Sequence, residues 1–396
     1  MSDERVSATL TLTAATERTW EAIVMGAGPA GALAARQLAR QGARVLLLDR
    51  ARFPRHKVCG CCLNGAALGV LDEVGLGDLI ERCGAPPLRQ FLLASGGRAA
   101  SVPLRQGVAL SRERLDAELI AAALEAGAEF LDDTQALLGK ASESARSIEL
   151  KSAGQQGSTS AQAIIIATGL GSRVFAGKAD DGRQAASASR VGAGAVLNGD
   201  GYESATDDFQ TGTIYMACHR DGYVGLARLE DGRLDVAAAL DPTAIKRAGG
   251  IAALVEQILA EAGMPPPLSV RTAQWHGTAR LTQRREHVAG DRYFVIGDAA
   301  GYVEPFTGEG IAWALATGRA VARPALDCLA GRVTESQRAW RGKHRELLAR
   351  RMRLCRTVST LLRYPRLVSI AVRLLARAPV LARPVVKSLN ASFASE

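Results

Sequence analysis

The chain has 396 residues, of which 47% are hydrophobic and 22% charged, with a formal net charge of +9. That length points to two or three domains and that composition to an ordinary soluble globular protein. Residues 332–396 hold 15 Lys/Arg against 3 Asp/Glu and leave the rest of the chain at −3; the basicity belongs to the tail, which argues against a nucleic-acid partner, and no apolar run reaches the ~18 residues of a spanning helix.

The first 19 residues are polar and predict a flexible N-terminus without the apolar core of a signal peptide. Together with seven cysteines, an odd number, this predicts reduced thiols and a cytoplasmic protein. An apolar run from Ala22 to Met25 then predicts a strand entering the turn Gly26-x-Gly28-x-x-Gly31. An alanine-rich helix follows and stops at Gly42, and a second apolar run, Val45 to Leu48, ends on Asp49. This is a βαβ dinucleotide fingerprint. Gly26 allows the tight turn, Gly28 admits a pyrophosphate to the backbone, and Gly31 lets helix and strand pack closely. Ala30 sits within the same turn, where the helix N-terminus meets phosphate charge. Asp49 is placed to accept hydrogen bonds from ribose hydroxyls.

Cys59, Cys61 and Cys62 fall within four positions of KVCGCCLNG. A zinc or iron–sulfur site wants four ligands, typically as separated pairs, and only His56 and Cys83 stand nearby, so no metal is expected. Residues 88–104 predict a hairpin turning at Gly96-Gly97, and short strands recur from Arg190 to Leu240, with a second hairpin at Asp231-Gly232. Ile251 to Ala262, between Gly250 and Gly263, predicts a helix. Near the far end, Tyr293 to Ile296 predicts a buried strand running into Gly297-Asp298, with a helix from about Gly310.

The segment YFVIGDAAGYVEPFTGEG resembles the second flavin motif of the p-hydroxybenzoate hydroxylase superfamily, which includes geranylgeranyl reductases and flavin-dependent halogenases. The resemblance extends to AIIIATG at 163–169 and to the helix-like segment after Ser111, and the matches span roughly residues 20 to 320. It implies FAD, with Gly297 and Asp298 at the ribityl chain, Arg112 on the cofactor, and Thr168 and Gly169 near it. It further implies that Pro305, Gly308, Gly310 and Ile311 pass beside the flavin ring. Lys57, Cys59 and Gly60 match the Lys-x-Cys-Gly loop of geranylgeranyl reductase-like members, which reaches the flavin and the substrate cavity. Cys59 is accordingly a candidate for the reaction, and Tyr223 for substrate contact.

The same comparison carries departures. Reductases of the superfamily have Tyr-x-Trp-x-Phe-Pro where this chain has Tyr223, Gly225 and no Phe-Pro. The halogenase Trp-x-Trp-x-Ile-Pro is missing, and Thr168-Gly169 stands where the aromatic hydroxylases have Asp-Gly.

The expected architecture is α/β: a Rossmann-like FAD-binding domain from residues 20–87, 105–180 and 278–331. An inserted antiparallel substrate domain comprises 88–104 and 181–277, and a basic helical tail 332–396. The expected function is that of an FAD-dependent oxidoreductase using NADPH or NADH, read first as a monooxygenase of an apolar or aromatic small molecule. The alternative is a carbon–carbon double-bond reductase or dehydrogenase acting on a prenyl or lipid-like substrate, and a third is a non-catalytic FAD- or membrane-binding protein. After Pro365, Arg366, Arg373 and Arg377 fall on one helical face, and Leu367, Val368, Ile370, Val372, Leu374 and Leu375 cover the other side. That helix is expected either to pack on the substrate domain or to touch a membrane peripherally, and the two are compatible.

Overall fold

The computed structural model describes residues 6–171, 174–175, 182–198, 208–304 and 306–393. Strand β1 (Trp20–Met25) leads through the glycine turn into helix α1 (Pro29–Ala39) and then strand β2 (Val45–Leu48). Pro29 sits in the first turn of α1, where its missing N–H costs nothing. A Cβ at Gly31 would lie 1.8 Å from the Gly26 carbonyl oxygen, so only glycine lets α1 cross this close. The helix ends at Ala39, and Gly42, at φ +82°, closes the turn that follows it.

The hairpin β3 (Gln90–Ser95) and β4 (Arg98–Pro103) turns on Gly96 and Gly97. Helix α2 (Arg112–Glu125), capped by the Ser111 hydroxyl, returns the chain to the first sheet through β5 (Glu129–Leu131) and β6 (Gln155–Ile166). Further strands of a second sheet follow: β7 (Val191–Leu197), β8 (Thr213–His219), β9 (Gly222–Arg228) and β10 (Leu234–Leu240). Helix α3 (Ile251–Ala262), strand β11 (His276–Arg280) and strand β12 (Tyr293–Val295) lead to helix α4 (Gly310–Ala320).

In the first sheet, β12, β6, β1, β2 and β5 are consecutive and parallel, buried on both faces between α1, α2 and α4 on one side and a second apolar cluster on the other. The second sheet runs β11-β7-β10-β9-β8-β3-β4 and is antiparallel at every junction except one: β3 pairs with β8 in parallel. Its strands alternate. Val224, Leu226, Val236 and Ala238 pack toward α3, whereas Tyr223, Gly225, Ala227, Asp235, Ala237 and Ala239 face a cavity between the sheets.

At both ends of the chain the structure shows contacts that the sequence did not specify, and the C-terminal region is helical as expected. Leu12–Thr16 is a short helix that buries Leu12 and Ala15, and the Thr9 N–H donates to Phe130 O at 2.9 Å. The tail begins with a 29-residue helix, α5 (Val333–Leu361), which is part of the first core: Trp340 is fully buried and its Nε1 donates to Val295 O at 3.1 Å. Helices α6 (Pro365–Arg377) and α7 (Arg383–Asn390) follow, with α6 packed on the β3–β4 hairpin.

Candidate flavin and substrate site

A single cavity of about 1050 Å³ runs from the Gly26 turn, past residues 55–64, under the second sheet and out among α6 and α7. That is at the large end for small-molecule sites, which span about 300–1,000 Å³. Gly26, Gly28, Ala30, Asp49, Cys59, Arg112, Thr168, Gly169, Tyr223, Gly297, Asp298, Gly308, Gly310 and Ile311 all line it. Gly31 lies behind the turn as a packing residue rather than on the wall. Pro305 lies outside the described residues.

At the inner end, the charges are held in place by buried partners. Asp49 accepts from the backbone N–H of Ala27 at 2.8 Å and of Ala51 at 2.9 Å, which orients its carboxylate at the end of β2. Arg112 is gripped in a fork by Asp116, with both bonds 2.9 Å and the acid fully buried. Arg55 reaches Asp49 at 3.4 Å and Asp116 at 3.5 Å. A Cβ added to Gly28 would sit 3.5 Å from Arg112 Nη2 and 3.7 Å from Arg55 Nη2, so both guanidinium groups face the open turn at the start of α1. Two arginines and a helix N-terminus around a glycine turn form an anion site. Arg55 Nε has no hydrogen-bond partner among the described residues, which leaves a donor for a ligand.

Asp298 faces the same space. Burial pushes its carboxyl up to about 6, against the opposing pull of Arg112 and Lys57. Burial likewise lowers Lys57 to about 8, helped by Arg55 and Arg112. Gly297, at φ +57°, brings this segment so near α1 that a Cβ would lie 3.0 Å from Ala30 Cβ. The donor set therefore fits FAD. Gly28, Arg55 and Arg112 would hold a pyrophosphate, Asp49 a ribose, and Asp298 the hydroxyls of the ribityl chain.

The cysteine loop crosses the middle of the cavity. All seven cysteines are free thiols, and no group of three or more His, Cys, Asp or Glu able to hold a metal occurs among the described residues. Cys61 takes φ +49°, a conformation that glycine adopts at lower cost, and its N–H donates to Cys59 Sγ at 3.4 Å. Hydrogen bonding from Cys61 and the nearby Arg112 guanidinium hold the Cys59 thiol well below its ordinary range, while Cys61 is held above it.

On the far wall, Tyr223 packs edge-on against Phe306 with ring centres 5.2 Å apart, and its hydroxyl has no partner among the described residues. Asp235, on the cavity face of β10, is 2% exposed, and burial pushes its carboxyl far above the usual range beside Cys59 and Cys61. Two further buried acids flank the segment before α4. Glu304 pairs with Arg190 at 2.8 Å, each 1% exposed, and Glu309 with Arg351 of α5 at 2.6 Å and the Cys355 thiol at 3.2 Å.

Asp116, Arg55, Asp235, Glu304 and Glu309 were not singled out from sequence. Asp116 had a usable signal, four residues after Arg112 on one helix. Asp235 had another, as the lone acid in LDVAAAL, an otherwise apolar strand. The glutamates had none, because their partners lie 42 and 114 residues away.

The chain matches a family model described as FAD binding domain over residues 19–335. It is 26% identical over 393 residues to menaquinone reductase of Mycolicibacterium smegmatis, covering 88% of this chain and 86% of that protein. It is 27% identical over 329 residues to digeranylgeranylglycerophospholipid reductase 1 of Methanopyrus kandleri, covering 78% and 81%. A geranylgeranyl bacteriochlorophyll reductase-like protein from Thermoplasma acidophilum shares the fold, with TM-score 0.75, 17% identity and coverage of 94% and 98%. A flavin-dependent brominase does so at TM-score 0.74, 18% identity and coverage of 94% of both chains. The family match over most of the chain, on a cavity whose donors suit this cofactor, makes the protein a member of the FAD binding domain family and an FAD-dependent oxidoreductase enzyme.

Proposed function

We propose that this enzyme reduces a carbon–carbon double bond in an elongated, prenyl-like lipid, with NADPH or NADH as the electron donor. The observation that carries this reading is the continuity of the cavity. It passes from the cofactor end, along the small side chains of Gly225, Ala227, Ala237 and Ala239, to an apolar mouth at Leu374, Leu381 and Val385. A long apolar chain suits that path, and the names of the two reductases of menaquinone and of digeranylgeranylglycerophospholipid point the same way.

Once reduced by NADPH or NADH, a bound flavin would supply a hydride. The second hydrogen arrives as a proton, and Asp235 is the group in this chain suited to deliver it. Burial raises its carboxyl well above the usual carboxylate range, which favours the protonated form, and it lies on the cavity wall. Cys59 is poised the other way, toward thiolate, and serves as a charged neighbour of Arg112 rather than as the acid. The unpartnered Tyr223 hydroxyl orients a polar group of the substrate. The alanine and glycine wall leaves room for the chain and excludes water.

One observation favours a second reading, hydroxylation of an apolar or aromatic molecule. Gly225 stands where the reductases of the superfamily have tryptophan, so this wall differs from theirs at its centre. Product mass after anaerobic turnover with NADPH or NADH distinguishes the two. A gain of two hydrogens supports the reductase, and a requirement for oxygen with gain of one oxygen atom overturns it. Asp235→Asn is expected to lower turnover about 10²–10⁴-fold with flavin retained; unchanged turnover removes Asp235 from the mechanism.

A further inference from the structure

The exposed apolar surface of this protein is gathered in one place. Nine large apolar side chains are exposed among the described residues, and eight of them lie between positions 361 and 385. On α6, Leu367, Ile370 and Leu374 are 45%, 51% and 50% exposed and share one strip of the helix. They are not the residues that attach α6 to the body: Val368 and Val372, on another strip, are buried and do that. Leu374 also lines the mouth of the cavity, as do Leu381 and Val385 from the segment that follows.

Charge is sorted in the same region. Residues 361–390 contain six Lys/Arg and no Asp/Glu. At about 100° per residue, Arg366, Arg373 and Arg377 fall within about 40° of one another on α6, directly beside the Leu367, Ile370 and Leu374 strip. An apolar strip bordered by cations is complementary to a surface with an oily interior and anionic headgroups. It is poorly complementary to itself, because a second copy would bring six further cations against these six. No helix among the described residues is long and apolar enough to cross a membrane, so the contact would be peripheral.

We propose that this face docks on an anionic bilayer. Leu367, Ile370 and Leu374 enter the acyl region, Arg366, Arg373 and Arg377 lie at the headgroups, and the cavity mouth opens against the membrane. An apolar substrate then passes between bilayer and cavity without crossing water. The inference rests on where the mouth opens, not on which reaction the flavin runs.

The test is co-sedimentation of the flavin-loaded full chain with phosphatidylcholine vesicles, with and without phosphatidylglycerol, at low and high salt. Binding is expected to be at least ~10-fold tighter to the anionic vesicles and to weaken with salt. The triple variant Arg366→Gln/Arg373→Gln/Arg377→Gln should lose about 100-fold, at about fivefold per cation. Leu367→Gln/Ile370→Gln should lose at least ~10-fold. Both variants should keep the flavin spectrum, since none of these five side chains lines the cavity. Absence of vesicle binding, equal binding to neutral vesicles, or variants that bind like the wild type would overturn the proposal. So would a light-scattering mass showing a dimer that Leu367→Gln/Ile370→Gln dissociates.

Discussion

Asp298 holds a carboxyl whose ionisation burial in the apoprotein resists. Its carboxyl is moved from 3.8 to about 6, chiefly by burial. Keeping it ionised therefore costs the folded apoprotein about 3 kcal/mol at any pH well above 6. The sign follows from the order of the two values. As pH rises, the unfolded chain releases this proton near 3.8 and the folded chain only near 6, so the group's penalty is absent below 3.8 and complete above 6. An asparagine has no such dependence. Asp298→Asn apoprotein should thus be more stable than wild-type apoprotein at pH 7.5, and the difference should grow by about 1.4 kcal/mol between pH 5 and pH 7.5. Urea denaturation of both apoproteins across that range measures it. The same substitution should weaken flavin retention by about 10- to 100-fold, if it removes a charge-assisted hydrogen bond worth about 1.5–3 kcal/mol. A stability difference that does not change with pH, or a wild type that is the more stable at pH 7.5, would refute the reasoning.

Other substitutions probe the supports of the site. Asp116→Asn removes the buried partner of Arg112 and Arg55 and should destabilise the apoprotein by about 3–5 kcal/mol while lowering FAD affinity, read by denaturation and flavin titration. Gly318→Ala should cost about 1–3 kcal/mol, because the new Cβ would lie 2.4 Å from the Ala30 carbonyl oxygen and force α4 away from α1; an unchanged melting temperature would mean that the helices have slack. Cys59→Ser should retain flavin whatever its effect on turnover, and a colourless protein would show that the loop is needed to hold the cofactor. Glu309→Gln leaves Arg351 without its anion and should alter flavin absorbance through the adjoining Gly308–Gly310 segment; an unperturbed spectrum would separate that clamp from the ring.

Much of the cofactor end could be read along the chain because its determinants are local. A turn that admits only glycine, a helix that starts on it and an acid closing the next strand sit within 30 residues, and each is dictated by backbone sterics or by a neighbour in sequence. The strands around the Gly96-Gly97 and Asp231-Gly232 turns were readable for the same reason, since alternation and turn chemistry need no distant partner. What packs on what was not. The parallel junction of β3 with β8 joins Gln90–Ser95 to Thr213–His219, a pairing that no local pattern encodes. Trp340 looked like part of a basic tail and became core because Val295 supplies its hydrogen-bond acceptor from another segment. In α6 the apolar residues were legible as one broad face. Only the position of the β3–β4 hairpin decided that Val368 and Val372 go inside while Leu367, Ile370 and Leu374 stay out, because burial belongs to the surface a side chain meets and not to the side chain alone.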